Sequence, residues 1–238
     1  MSGSAEADEI ARFERLAAKW RDPMGPMRTL HVMTPFRADW IAATVTANHA
    51  KGRLAGLSLL DIGCAAGLVS EALFDRGAIV TGIDPVERSV RIAERHARQD
   101  GRAIDYRVAT PEVLAAEGRT FDVVCALEVI EHVADRPAFC RTLASLVAPG
   151  GLLFVATISR TWTSWLLAIV VAEKILGALP RGTHRWDWFV RPDEADAWLS
   201  AEGMTRVELR GMRYWPLLHK VRWTGDRSVN WASAWRKC

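Results

Sequence analysis

The chain has 238 residues, half of them hydrophobic, and its 31 Lys and Arg against 28 Asp and Glu give a formal net charge of +3. This length suits one α/β domain with a full core, so we expect a single domain over residues 1–238. The basic residues are scattered, which argues against a nucleic-acid partner. The four cysteines have no metal or disulfide spacing, and residues 1–9 have no leader-like pattern. We therefore expect a reducing, cytoplasmic location.

A strand, a glycine turn, a helix and a second strand follow one another between residues 57 and 84, after a segment (1–50) that we expect to form a helical cap. The run from Leu57 to Ile62 is apolar, too short for a helix and bounded by turn residues, which favours a buried parallel strand. Gly63 and Gly67 permit backbone torsions and a close ligand approach that side chains would block. The helix expected from Leu68 points its first amides back at this turn.

The acid that ends the second strand, Asp84, lies where dinucleotide-binding folds place the carboxylate that accepts ribose hydroxyls. A pyrophosphate is disfavoured, because Ala65 stands where the second glycine of the G-x-G-x-x-G fingerprint would admit it. Preceded by Asp61, the loop instead resembles the D-x-G-x-G-x-G loop of class I S-adenosylmethionine-dependent methyltransferases. Taken alone, such a turn also fits a structural role in any α/β domain.

Two later segments fit the same fold. Residues 121–127 form a strand pattern, and near residue 150 a helix end is followed by the turn Ala148-Pro149-Gly150-Gly151 and a strand from Leu152. This combination resembles strands four and five of class I methyltransferases. The resemblance implies a Rossmann-like α/β fold, with a mostly parallel, doubly wound, seven-stranded sheet and an antiparallel edge strand.

A second group of chemically active side chains, Glu128, Glu131 and His132, comes directly after the strand at 121–127. At positions i, i+3 and i+4 they would share one face if a helix begins there, at the sheet edge where ligands of open α/β folds bind. Two carboxylates and an imidazole are suitable ligands for Mg²⁺, with a substrate oxygen completing the shell. The same residues can instead supply a general base, or simply line the pocket.

The most unusual feature of the composition is its 11 tryptophans against 2 tyrosines. Many of them surround residues 159–190, which we expect to be an apolar, Trp-rich insertion. Its apolar part, 165–180, is shorter than the roughly 20 residues that a membrane span requires, and Glu173 and Lys174 interrupt it. Two interpretations stay open: a helix that covers the active site, or a helix that rests at a membrane surface.

Further motifs resemble the ubiquinone biosynthesis O-methyltransferases almost from end to end. They include Glu9-Ile10-Ala11-Arg12-Phe13, Thr34-Pro35-Phe36-Arg37 and the family-specific segment Ser164 to His184. The resemblance implies an enzyme that transfers a methyl group from S-adenosylmethionine to a phenolic oxygen of a polyprenylated catechol or demethylubiquinol. A methyltransferase of a soluble metabolite and a catalytically silent scaffold that binds the cofactor or a lipid are the alternatives.

The resemblance also implies that Arg37, Gly63, Asp84 and Leu127 touch the cofactor, and the glycine loop adds Asp61 and Gly67 to the expected cofactor site. In it, Arg37 pairs with the methionyl carboxylate, Asp84 binds the ribose and Leu127 packs on the adenosine. One departure is that the family pattern W-W-D-x-x-G reads Trp20-Arg21-Asp22-Pro23-Met24-Gly25 in this chain.

For catalysis, the resemblance implies that Glu128, Glu131 and His132 act at the acceptor, as Mg²⁺ ligands in metal-dependent members. In a metal-free reaction, His132 or His31 would remove the phenolic proton. The expected partners are a polyprenylated phenol or quinol, membrane lipid at a peripheral contact and other biosynthetic proteins.

Overall fold

A computed structural model describes residues 7–25, 27–161, 188–215 and 218–238. The strands in chain order are β1 (Ser58–Ile62), β2 (Ile79–Asp84), β3 (Asp105–Val108), β4 (Phe121–Leu127), β5 (Val147–Ile158), β6 (Met204–Trp215), β7 (Lys220–Thr224) and β8 (Asn230–Lys237). The α-helices are α1 (Ala7–Leu16), α2 (Arg28–Asn48), α3 (Leu68–Phe74), α4 (Glu87–Gln99), α5 (Pro111–Ala116), α6 (Arg136–Leu146) and α7 (Pro192–Ala201). Short 3₁₀ helices cover Ala17–Lys19 and Ile130–His132.

The strands form one sheet in the order β3-β2-β1-β4-β5-β8-β6-β7. Neighbours from β3 to β5 pair in parallel, whereas β8 is antiparallel to both β5 and β6, and β6 is antiparallel to β7. The expected fold class is confirmed. The described residues form eight strands rather than seven, because Lys220–Thr224, with half-buried Val221 and Trp223 alternating with exposed charges, pairs with β6.

The predicted strands at the centre of the sheet are present. β4 covers the expected residues 121–127. The expected turn at 148–151 interrupts the pairing of β5 with β4, because Phe121 pairs with Val147 whereas Val123 pairs with Leu152. The intervening residues of β5 therefore leave the regular register before the strand continues.

The central strands are buried on both faces, as parallel strands between helices are. In β1, Leu59 packs in a cluster with Ile41 of α2, and its neighbour Leu60 packs in a second cluster with Phe139 of α6. The apolar run that begins at Leu57 thus supplies both layers of the core.

Several tryptophans belong to this core. Trp231 and Trp235 of β8 are 1% exposed, and the indole N–H of Trp231 donates to the carbonyl of Val190 at 2.8 Å. Trp40 of α2 is buried too, and its indole donates to Glu208 at 2.8 Å. Part of the high tryptophan content is therefore accounted for by packing.

Most of the expected Trp-rich insertion at 159–190 lies outside the described residues, which end at 161 and resume at 188. Among the helices that the structure describes, none combines the length and the apolar character needed to cross a membrane.

Candidate active site

The turn between β1 and α3 concentrates left-handed backbone conformations: φ is +69° at Gly63, +46° at Ala65 and +84° at Gly67. A Cβ on Gly63 would lie 2.6 Å from Val129 Cγ2, and one on Gly67 would lie 2.3 Å from the Tyr106 hydroxyl oxygen. Glycine is required at both positions, because both the torsion and the space exclude a side chain.

Asp84 is held against this turn by two backbone donors. The N–H of Ala65 donates to Oδ2 at 2.9 Å, and the N–H of Val86 donates to Oδ1 at 2.8 Å. Burial raises the pKa of Asp84 to about 6. The carboxylate thus lies where the turn and the end of β2 meet, as the sequence predicts.

Asp61 is a buried residue of β1, two positions before Gly63. Its Oδ2 accepts a hydrogen bond of 2.6 Å from the hydroxyl of Ser70 in α3, which ties β1 to that helix. Burial raises the pKa of Asp61 to about 7. Its position is that of a support for the turn.

An open cleft lies above the carboxyl ends of β1, β2 and β4. Of the expected site residues, Gly63, Asp84, Glu128 and His132 line it. Arg37, Asp61, Gly67, Leu127 and Glu131 are not among the lining residues, and their predicted roles stay predictions. The structure thus joins the glycine turn and the segment after β4 in one cavity.

The N-terminal segment contributes a wall of this cleft that the sequence did not predict as part of a site. Its residues there are Glu9 and Phe13 of α1 and Trp20 after the 3₁₀ helix. The indole N–H of Trp20 has no acceptor among the described residues. Glu9 and Phe13 belong to a motif of the family resemblance, but the residue types alone indicate no position at the cleft.

The expectation that Glu128, Glu131 and His132 share a helical face is wrong. Glu128 follows β4 with φ +58°, and only a 3₁₀ helix, Ile130–His132, comes next. As a result, the three side chains take different directions. Glu128 pairs with Arg37, while His132 Nδ1 lies 2.8 Å from Glu9 Oε2.

The third member of the group, Glu131, is 3% exposed. Burial, together with the nearby charge of Glu128, raises its pKa well above the usual range. Within the described ranges, no three or more His, Cys, Asp and Glu side chains are grouped to hold a metal ion. Because Glu128 pairs with Arg37 and His132 pairs with Glu9, the three side chains do not surround one metal position, so this arrangement does not fit Mg²⁺.

His31, the alternative candidate for the general base, makes a structural contact outside the cleft. Its Nε2 lies 2.8 Å from the backbone carbonyl of Trp20, so it links α2 to the segment before it. His31 is not among the residues that line the cleft.

Arg21, which occupies the second tryptophan position of the family pattern, connects the N-terminal segment to the glycine turn. Its guanidinium pairs with both oxygens of Glu71 in α3, and its Nε donates to the carbonyl of Ala66 at 2.8 Å. This departure from the pattern therefore has a structural role at the turn.

Comparisons with known proteins agree with this geometry. A family profile described as a methyltransferase domain matches residues 12–209. In structure, the chain is similar to a magnesium protoporphyrin IX methyltransferase from Synechocystis with bound SAH, with a TM-score of 0.67, 22% identity and coverage of 98% of this chain and 95% of that one. It is also similar to an N-methyltransferase from Bradyrhizobium japonicum in complex with S-adenosyl-L-homocysteine, with a TM-score of 0.63, 18% identity and coverage of 96% and 97%. Fold and profile define the class as class I S-adenosylmethionine-dependent methyltransferases.

Relatives of higher sequence identity show the family within this class. The ubiquinone biosynthesis O-methyltransferase of Methylobacterium nodulans is 46% identical over 236 residues, which cover 97% of this chain and 95% of that protein. The protein of the same name from Leptothrix cholodnii is 43% identical, with 98% of each chain covered. The chain belongs to the ubiquinone biosynthesis O-methyltransferase family.

Proposed function

We propose that this chain transfers the methyl group of S-adenosylmethionine to a phenolic hydroxyl of a polyprenylated catechol or a demethylubiquinol. The observation that carries the proposal is the single cleft that has the glycine turn and Asp84 on one side and Glu128 and His132 on the other. The near full-length relationship to enzymes named for ubiquinone biosynthesis supports the choice of acceptor.

In this proposal, the cofactor lies against the glycine turn. The ionised Asp84 accepts hydrogen bonds from the ribose hydroxyls, and Leu127 packs beside the adenosine. Arg37, a buried cation, pairs with the methionyl carboxylate. Gly63 and Gly67 allow the backbone to approach, while Asp61 supports the turn through Ser70. When bound, S-adenosylmethionine supplies an electrophilic methyl group.

The acceptor lies on the other side of the cleft, beside His132. A phenol has a pKa near 10, so at neutral pH its oxygen needs a base to become an effective nucleophile. We assign this proton transfer to His132. Glu128 lines the same cleft, and once the methionyl carboxylate has taken up Arg37 its proposed part is to balance the positive charge that forms on His132, with buried Glu131 behind it. Holding both reactants in line contributes most to the rate.

A methyl-transfer assay with a short-chain prenyl catechol tests the proposal. We expect methylation of the prenylated catechol in the presence of a chelator, and a loss of at least about a hundredfold in kcat for His132→Ala. An unprenylated catechol and a soluble amine are the comparison substrates. Equal or faster transfer to either would favour a soluble-metabolite methyltransferase. Absence of S-adenosylmethionine binding in calorimetry would instead leave a silent scaffold.

The proposal includes a cytosolic enzyme that makes a peripheral contact with membrane lipid through residues 159–190. The free thiols of Cys64, Cys125, Cys140 and Cys238 suit a reducing compartment. The Trp and Arg content of the insertion suits a lipid surface, where a polyprenylated substrate resides. In liposome flotation, we expect the chain to float and Trp165→Glu to float less. A protein that never floats would contradict this part of the proposal.

A further inference from the structure

His132 is held from one side by two residues of α1. Glu9 Oε2 lies 2.8 Å from Nδ1 of the imidazole, and the ring of Phe13 meets the imidazole edge-on, with centroids 5.2 Å apart and planes at 90°. Glu9 and Phe13 are four positions apart, so they lie on one face of the helix. All three side chains line the cleft.

We infer that Glu9 is a positioning residue for His132. The approach of the Glu9 carboxylate to within 2.8 Å of Nδ1 favours the neutral tautomer that has its proton on Nδ1, which leaves the lone pair on Nε2. Phe13 then fixes the plane of the ring. Nε2 is left as the ring nitrogen that takes a proton from a substrate in the cleft. This inference rests on the proposed function, because it concerns how the proposed base is oriented.

The proposed step moves one proton from the phenol to Nε2 of His132. The phenolic O–H bond breaks, and an N–H bond forms at Nε2 as the oxygen takes the methyl group from the sulfonium. The imidazolium that results has protons on both nitrogens, with the Glu9 carboxylate beside Nδ1. It returns the Nε2 proton to water after product release.

The Glu9–His132 pair lies in a largely buried environment, which strengthens its interaction. The side chains of Glu9 and His132 are 14% and 21% exposed, so the pair is shielded from bulk water and interacts more strongly than a surface pair would. The other carboxylate at the cleft, Glu128, is paired with Arg37.

The first test is a double-mutant cycle on the full chain with a prenyl catechol. Glu9→Gln should lower kcat by at least about tenfold, and leave the dissociation constant of S-adenosylmethionine unchanged. In a His132→Ala background, Glu9→Gln should have almost no further effect, because there is no imidazole left to position. Glu94→Gln, at an exposed acid of α4, is the matched control and should match the wild type.

The outcomes separate this inference from the proposed function. A loss of the same factor in both backgrounds would overturn the positioning role, since Glu9 would then act without His132. A wild type that methylates the catechol while His132→Ala keeps full activity would also overturn the role, although the proposed reaction would stand.

A second measurement does not depend on turnover. In ¹⁵N NMR of the imidazole, the wild type should show the tautomer protonated on Nδ1, and Glu9→Gln should shift the population towards the form protonated on Nε2. Identical tautomer populations in the two proteins would overturn the inference, whether or not the enzyme methylates a catechol.

Discussion

Arg37 of α2 and Glu128 after β4 form an ion pair across 91 positions of the chain. The guanidinium is 3% exposed and the carboxylate is 25% exposed, so the cation is buried while its anion reaches the cleft. Glu128 adopts φ +58°, a costly torsion for a residue with a side chain. The methionyl carboxylate of S-adenosylmethionine can therefore replace the carboxylate of Glu128 as the partner of the buried Arg37.

Glu128→Gln should destabilise the protein without ligand by about 2–3 kcal/mol, because Arg37 would lose its charged partner in a buried position. S-adenosylmethionine should then stabilise the variant more than the wild type, since its carboxylate would supply the missing charge. Urea unfolding with and without the cofactor measures both effects.

The matched control is Glu87→Gln, whose pair with Arg91 is on the surface, with both side chains more than half exposed. It should change the free energy of unfolding by less than about 0.5 kcal/mol. If the cofactor stabilised Glu128→Gln no more than the wild type, Arg37 would not be its carboxylate site.

The glycine turn and the strands beside it were predictable because local residue types determine them. Gly63 and Gly67 occupy positions where the torsion and the space exclude a side chain, and the short apolar run into Ile62 favours a buried strand. The direction of Glu128 was not predictable, because it depends on one left-handed torsion and on Arg37, which is far away in sequence. The place of Glu9 beside His132 likewise depends on how α1 packs over the sheet.

Substitutions at Ala65 test how closely the cofactor approaches the glycine turn. It has φ +46° and lines the cleft where the family's loop has a glycine. Ala65→Gly should bind S-adenosylmethionine at least as tightly as the wild type, because the Cβ that lines the cleft is removed, while relief of the torsional strain of about 1 kcal/mol stabilises the free and bound proteins alike. Ala65→Val should weaken binding by more than about tenfold, because a β-branched residue fits the left-handed region poorly.

Calorimetry measures both variants, and thermal unfolding checks that each is folded. Unchanged affinity in Ala65→Val would mean that the cofactor does not approach this turn. Tighter binding in Ala65→Gly would show that the alanine methyl group limits the affinity of the natural chain.

Asp84 should make cofactor affinity depend on pH. Burial holds its pKa at about 6, and the nearby Glu14 carboxylate of α1 contributes to the same shift. Only the ionised form accepts hydrogen bonds from ribose at full strength, so affinity should level off above about pH 7 and fall below it. At about pH 5, some tenth of the carboxylate is ionised, and binding should weaken by about tenfold.

The measurement is calorimetry with S-adenosylhomocysteine between about pH 5 and 7. Asp84→Asn is the control: it should bind weakly at both ends of that range and show little dependence on pH. A wild type whose affinity is flat over the range would place the ribose elsewhere.

Asp61 should make the stability of the folded chain depend on pH in the opposite sense to an ordinary ion-paired carboxylate. Burial raises its pKa from 3.8 to about 7, so the folded state binds the proton more tightly than the unfolded state does. The free energy of unfolding therefore decreases as pH rises from about 4 to 7, by at most about 1.4 kcal/mol per pH unit. Asp61→Asn stays neutral and its amide can still bond Ser70, so it lacks this dependence.

Urea unfolding of both proteins at several pH values isolates the effect of Asp61, because the contribution of Asp84 is largely common to the two proteins and cancels in the difference. Between about pH 4.5 and 8, the difference in unfolding free energy should move in favour of Asp61→Asn by about 2–4 kcal/mol. A difference that stays constant over this range would mean that Asp61 titrates near its ordinary pKa in the folded protein. The buried acid under the turn would then be solvated or paired when the protein is in solution.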